Sequence, residues 1–328
     1  MKKAVKYLGY CFYLFLMCFL LLEIFFRVYL YEEEADMNYW GRGAFQEDIE
    51  VGYIHTPNFK ARAMRRPEFI SHFEINKYGL RQRDMEKQLA FEQRVLFLGD
   101  SFTVGLGVEE EEMFTNRISR RLNELGIGVI NGGQTGYCIT QEYNFARKLL
   151  DQHYYNHIFL CLFLSNDIRG DYFQGYKKID VKHGYRLLKA RAFKNEAADY
   201  IRTHSYTFMY VKAFIKKKLR KPKGLEPEGF NHNSKLAIQD IIRLCDEQGI
   251  GLTIMLIPNF QKEIPHEEEF KNLFEERGID YFKVAVQRDD YFPIDGHWNR
   301  KGHGTASEAI LQHISDTGLF NVDHSSFQ

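Results

Sequence analysis

The sequence predicts an α/β fold, with a parallel sheet covered by helices on both faces and one N-terminal transmembrane helix ahead of it. Three observations predict it. Short apolar runs ended by glycine, asparagine or proline alternate with segments of helical periodicity between residues 94 and 314. An uncharged apolar stretch sits at the N-terminus behind three lysines. The 328-residue chain is 45% hydrophobic and 27% charged, enough for a large core and incompatible with a disordered or fibrous chain.

The N-terminal element comes first. Tyr7 to Leu22 carries no formal charge, and the apolar character continues past Glu23 through Phe26. At about 1.5 Å per residue, extension to Phe26 covers a bilayer core of about 30 Å, with Glu23 near the far interface. Lys2, Lys3 and Lys6 precede the stretch, whereas Glu32, Glu33, Glu34 and Asp36 follow it, so the N-terminus is expected in the cytoplasm and the remainder outside. Glu23–Arg27 offers no small residues for signal cleavage, and Cys18 follows bulky Met17, which disfavours a lipoprotein signal. Residues 1–31 therefore read as an uncleaved signal anchor. Of the five cysteines, Cys138, Cys161 and Cys245 remain outside it, and no spacing pairs them.

Residues 32–90 hold few periodic runs and read as a juxtamembrane entry segment wrapping the domain that spans 91–320. Within that domain, Arg94–Leu98 is a buried strand ended by Gly99, and Glu112–Leu125 is a helix with Phe114, Ile118, Leu122 and Leu125 on one side. Ile127–Ile130 is a second strand and Gln141–Leu150 a helix; His157–Leu164 is a third strand. Leu236–Gln248 is an amphipathic helix, Leu252–Ile257 a fourth strand, Tyr281–Val286 a fifth and Gly304–Ile314 the last helix. Between the third strand and the Leu236 helix lies a basic helical insertion at about 171–232; Asp171 to Lys223 holds 15 Lys/Arg against 4 Asp/Glu. It reads as a solvated excursion, with a lid or a patch for anionic lipid or glycan as the alternatives.

Parallel sheets place ligands beyond the carboxyl ends of their strands, and the reactive residue types fall there. The first strand runs into Gly99-Asp100-Ser101, the second into Asn131-Gly132-Gly133-Gln134-Thr135-Gly136, and the third into Ser165-Asn166-Asp167. Near the C-terminus, Asp295 stands two residues before His297. A hydroxyl, an imidazole with an acid beside it, and neutral N–H donors are what acyl transfer requires. Read singly, each block is as often a turn as a catalyst; their joint order along the chain carries the argument.

In these blocks the chain resembles the SGNH (GDSL-type) hydrolases from about Arg94 to Ile314, and the shortened Asp–His spacing resembles the membrane-associated, alginate O-acetyltransferase-like branch. The stretch Asn76-Lys77-Tyr78-Gly79-Leu80-Arg81 is also similar to membrane-tethered members. The resemblance implies a three-layer α/β/α sandwich with Ser101 as nucleophile, His297 as general base and Asp295 orienting it. It further implies an oxyanion hole from the Ser101 N–H, the Gly136 N–H and the Asn166 side chain. Ser165 departs from the glycine usual before that asparagine. His303 is the alternative base, and Asp289 or Asp290 the alternative acid. Asp100 and Asp167 read as loop hydrogen-bonders.

The expected activity is a membrane-anchored serine esterase or O-acyltransferase on exported glycans. A lipase or lysophospholipase at the membrane surface and an inert glycan-binding envelope protein are the alternatives. Partners follow from that reading: the membrane, a glycan or acyl-ester substrate and, for a transferase, an integral membrane acyl donor. Zero net charge, with 44 Lys+Arg against 44 Asp+Glu, excludes a nucleic-acid binder driven by bulk charge. No cofactor is expected, since Gly105-Leu106-Gly107 leads to Glu110 rather than completing a dinucleotide fingerprint. No metal is expected either; His266 with Glu267, Glu268 and Glu269 reads as a loop or helix start.

Overall fold

In the computed structural model, residues 2–30, 43–65, 68–172, 231–259, 266–293 and 295–321 are described, together with 179–180, 185–186, 205 and 207. The chain divides into two units, residues 1–35 with 190–226, and residues 36–189 with 227–328. Most of the basic insertion, including Lys216–Lys218, lies outside the described residues.

In the first unit, helix α1 spans Lys2–Leu30, because nothing between Glu23 and Leu30 is a glycine or proline that would stop it. Its segment Lys6–Phe25 is long and apolar enough to cross a membrane, and none of its residues is buried. The Glu23 carboxylate accepts hydrogen bonds from the Ser205 hydroxyl at 2.9 Å and the Thr207 N–H at 3.0 Å, which satisfies an acid within an apolar helix.

The second unit is built on five parallel strands. In chain order they are β5 (Gln93–Gly99), β6 (Ile127–Gly133), β7 (His157–Leu162), β8 (Gly251–Leu256) and β9 (Asp280–Lys283), arranged across the sheet as β9-β8-β7-β5-β6. Alternation along each strand feeds two cores. Leu96, Leu98, Ile158, Leu160, Ile254 and Leu256 face one side and pack with helices α4 (Ile139–Leu150), α6 (His232–Gln248) and α7 (Glu267–Glu276). Val95, Phe97, Phe159, Cys161 and Met255 face the other and pack with α3 (Phe114–Glu124) and α8 (Arg300–Thr317). The result is a three-layer α/β/α sandwich.

Before the sheet come two antiparallel hairpins, β1 (Phe45–Asp48) with β2 (Gly52–His55) and β3 (Lys60–Arg65) with β4 (Phe69–Glu74), then the short helix α2 (Met85–Leu89). β4 alternates, with Phe69, Ser71 and Phe73 buried and Ile70 and His72 exposed. Two differences from the sequence reading concern the site. Strand β7 ends at Leu162, and the apolar residues after it belong to a new helix, α5 (Leu164–Tyr172). The last helix starts four residues earlier than expected, at Arg300, because the Asn299 side chain caps it by accepting from the Lys301 and Gly302 N–H groups. Cys138, Cys161 and Cys245 are buried free thiols.

Candidate active site

Strand register brings the motifs together. Gly99 lies opposite Gly133 on β6 and Cys161 on β7, so the segments after these strands emerge at one edge of the sheet. Only glycine fits at position 99: a Cβ there would stand 2.2 Å from Thr103 Oγ1 and 2.9 Å from the Cys161 carbonyl oxygen. The chain can therefore turn sharply into Asp100 and Ser101 with both side chains buried.

The Ser101 hydroxyl donates to His297 Nε2 at 2.6 Å. His297 Nδ1 in turn hydrogen-bonds Asp295 Oδ1, whose side chain is fully buried, while the imidazole keeps a partly exposed edge. The loop carrying both is tight: Phe292 N–H donates to the His297 carbonyl and Gly296 N–H to the Phe292 carbonyl, each at 2.8 Å. Glu68 accepts the Asp295 N–H at 2.7 Å. The Phe102 ring packs on the His297 ring at 4.9 Å and on Trp298 at 5.1 Å, which fixes the imidazole plane.

His303, the alternative base, is elsewhere. Its Nδ1 accepts the Phe114 N–H at 3.3 Å, its ring stacks on Phe114, and burial, with Arg81 and Arg117 nearby, pulls its pKa down to about 3. Asp290 accepts the Gln287 N–H at 2.7 Å and closes the turn over Arg288–Asp290, and exposed Asp289 pairs with Lys301. The structure thus brings Asp295, rather than either of these, to His297.

On the other side of Ser101, Asn166 lies in the first turn of α5. Its Nδ2 donates to Asp100 Oδ2 at 2.8 Å, the oxygen that stands 3.4 Å from Ser101 Oγ, and Asp100 Oδ1 accepts the Phe102 N–H at 2.9 Å. An amide nitrogen carries two hydrogens, and this bond uses one of them. Ser165 accepts from Asn259 at 3.0 Å. Beneath lie Glu142 and Asp167, both fully buried with no hydrogen-bond partner on either oxygen; burial first, then the charges of Asp100 and Asp171 on Glu142 and those of Glu142, Asp100 and Asp171 on Asp167, push both pKa values well above the carboxylate range.

Gly136, at φ +68°, sits in a loop gripped from the entry segment. Gln134 donates to the Gly79 carbonyl at 2.8 Å and accepts the His55 N–H at 3.0 Å, the Tyr53 hydroxyl donates to the Thr135 carbonyl at 2.7 Å, and His55 Nε2 meets Thr135 Oγ1 at 3.0 Å. An open groove of about 900 Å³ lies beside the 291–299 loop, with Glu68, Phe69, Arg117, Phe292, Arg300 and Lys301 on its walls.

Sequence reasoning did not single out Glu68, Phe102, Tyr53, His55 or Gln134. Phe102 and Gln134 had local signals, one following the serine after a buried strand end and the other following the Gly133 strand end directly; Glu68, Tyr53 and His55 act across more than 50 residues of chain. Among the described residues no group of three or more His, Cys, Asp or Glu is disposed to hold a metal. His266 hydrogen-bonds Glu269 at 2.7 Å at the start of α7.

No protein-family model matches the chain, and no curated protein matches it either. Among solved structures, similar folds include a psychrotrophic esterase from Pseudoalteromonas sp., 13% identical, covering 69% of this chain and 98% of that one with a TM-score of 0.41. A catalytic mutant of an acetylxylan esterase from Geobacillus stearothermophilus is 12% identical over 69% of this chain and 96% of that one, TM-score 0.40. A two-domain esterase active on acetylated mannans is 10% identical over 71% of this chain and 51% of that one, TM-score 0.43.

Proposed function

We propose that this chain is a membrane-anchored serine esterase or O-acyltransferase of the SGNH type that acts on acyl esters, with O-acetyl on exported glycans as the substrate class. The hydrogen-bonded line from Ser101 through His297 to buried Asp295 carries the proposal, since it is the arrangement that activates an otherwise poor nucleophile.

In the first step, Ser101 Oγ attacks the acyl carbonyl carbon while its proton passes to His297 Nε2. The carbonyl electrons move to oxygen, and the oxyanion receives the Ser101 and Gly136 N–H groups and the free amide hydrogen of Asn166. Collapse breaks the ester C–O bond, and the leaving sugar oxygen takes the proton from His297, leaving an acyl-Ser101. A second hydroxyl, from water or from a sugar, then attacks with His297 as base, and the proton returns to Ser101. Asp295 keeps the Nδ1 hydrogen on its own side of the ring and stabilises the imidazolium formed in each half.

The anchor-like α1 supports a site held at a membrane. A transferase would take its acyl group from an integral membrane donor. Full-length protein in detergent, treated with a fluorophosphonate probe, should label in the wild type and not in Ser101→Ala. It should also release acetate from acetylated polysaccharide. Equal labelling of both proteins removes Ser101 from the reaction, and preference for long acyl esters over acetyl esters replaces the glycan reading with the lipase one.

A further inference from the structure

Arg81 is a fully buried cation whose hydrogen-bond partners are all main-chain carbonyls. Its Nη1 donates to the carbonyls of Val104, at 3.2 Å, and Gly105, and its Nη2 to those of His72, at 2.6 Å, and Val108, at 2.7 Å. The face of the guanidinium lies 4.9 Å from the Phe73 ring centre. Burial lowers its pKa to about 10, so it stays charged at neutral pH. A buried charge without a carboxylate in contact is costly, and it persists only where dipoles converge on it. Three of the four carbonyls belong to the loop that leaves Ser101.

That loop has no reason of its own to aim three carbonyl oxygens at one point, because they repel one another. Gly105 and Gly107, at φ +73° and +95°, let the chain turn them inward, and the Leu106 N–H closes the loop on the Ser101 carbonyl at 3.0 Å. The position of the serine hydroxyl and of its N–H is thus tied to the same turn that wraps the guanidinium. We infer that Arg81 is a positioning residue for the nucleophile: its planar fork sets the loop that holds Ser101 in line with His297. The inference rests on the proposed role of Ser101. It gives the entry segment a part in the chemistry, since Arg81 ends the Asn76–Arg81 turn, in which Asn76 accepts the Tyr78 and Leu80 N–H groups at 2.8 and 3.1 Å. Lysine cannot replace it, having one point charge where the fork supplies donors in fixed directions.

The test compares full-length wild type, Arg81→Lys and Phe73→Leu with a short acyl ester, with active sites counted by fluorophosphonate. Displacing a reacting group by about 1 Å costs roughly 100-fold in rate, so Arg81→Lys should lose about 100-fold in kcat per titrated site with KM within about threefold. Phe73→Leu, which keeps the fork and removes its stacking surface, should lose less in kcat, again without a change in KM. A merely structural role gives fewer titratable sites, each turning over at the wild-type rate, and that result overturns the inference. If Arg81→Lys does not fold, wild-type kcat per site in Phe73→Leu overturns it equally. Failure of the Ser101 reading looks different, because then the wild type itself shows no labelling that depends on Ser101.

Discussion

Replacing Asp295 by alanine tests which acid serves His297. The Asp295 side chain is fully buried and bonded to Nδ1, so an imidazolium formed during attack lies beside a carboxylate shielded from solvent; the charge separation is taken as about 4 Å. At an effective dielectric constant of about 20 two such charges attract by about 4 kcal/mol, equivalent to about three decades in rate. Loss of the carboxylate also frees the ring to adopt the wrong tautomer, so kcat should fall at least about 1,000-fold while KM changes little. Asp290→Ala is the matched control. Asp290 closes a turn and accepts from Gln287, so its loss should cost on the order of 1–3 kcal/mol of stability and less than about tenfold in kcat. The assay is hydrolysis of a short acyl ester, normalised to fluorophosphonate-titrated sites, alongside thermal melts. An Asp295→Ala enzyme within about tenfold of wild type, or an Asp290→Ala enzyme that has lost three decades, would refute the reasoning.

Three further outcomes follow from the same geometry. Asn166→Ala should lower kcat by roughly 100- to 1,000-fold without raising KM much, as expected for a donor that acts on a developing oxyanion; steady-state kinetics read this directly. His303 is neutral in the folded protein down to about pH 3, whereas an unfolded histidine takes a proton near 6.5. The unfolded chain therefore binds more protons between those values, and this group's contribution to stability is lost as pH falls below 6.5; melts from pH 7 to 4 should show a shallower decline in His303→Gln, with kcat within about threefold of wild type. Asp167 has the opposite sign. Its folded carboxyl holds its proton to higher pH than the unfolded one, which ionises near 3.8, so it costs stability as pH rises, and Asp167→Asn should melt higher than wild type at pH 7 and converge with it toward pH 4.

The central sheet was legible because β5, β7 and β8 are buried on both faces and so appear as unbroken apolar runs. The same logic misplaced the end of β7. Phe163 and Leu164 continue the apolar run for other reasons, one packing on Phe102 and the other starting α5. Helix α7 escaped assignment because only Phe270, Leu273 and Phe274 anchor an otherwise charged decamer. The strands of the entry-segment hairpins are four to six residues each, too short for periodicity to register.

At the candidate site, Ser101, Gly136 and Asn166 could be picked out because each follows a strand end by two to four positions, whereas Asp295 and His297 stand well beyond the end of β9 and were marked only by their proximity to each other. The residues that hold them were not readable. Arg81 reaches Val104 and Val108, Tyr53 reaches Thr135, and Glu68 reaches Asp295, contacts that arise only once the chain has folded. Nothing in local composition marks a buried arginine whose partners are carbonyls.

The claim on which the account turns is that an acyl group passes through Ser101. Full-length protein mixed with a short acetyl ester, quenched in acid within milliseconds and digested, should give an acetylated peptide containing Ser101 that disappears as turnover completes. Ser101→Ala should give neither adduct nor turnover. Acetate release by Ser101→Ala at the wild-type rate, or an adduct that forms on another residue in the wild type, would contradict it.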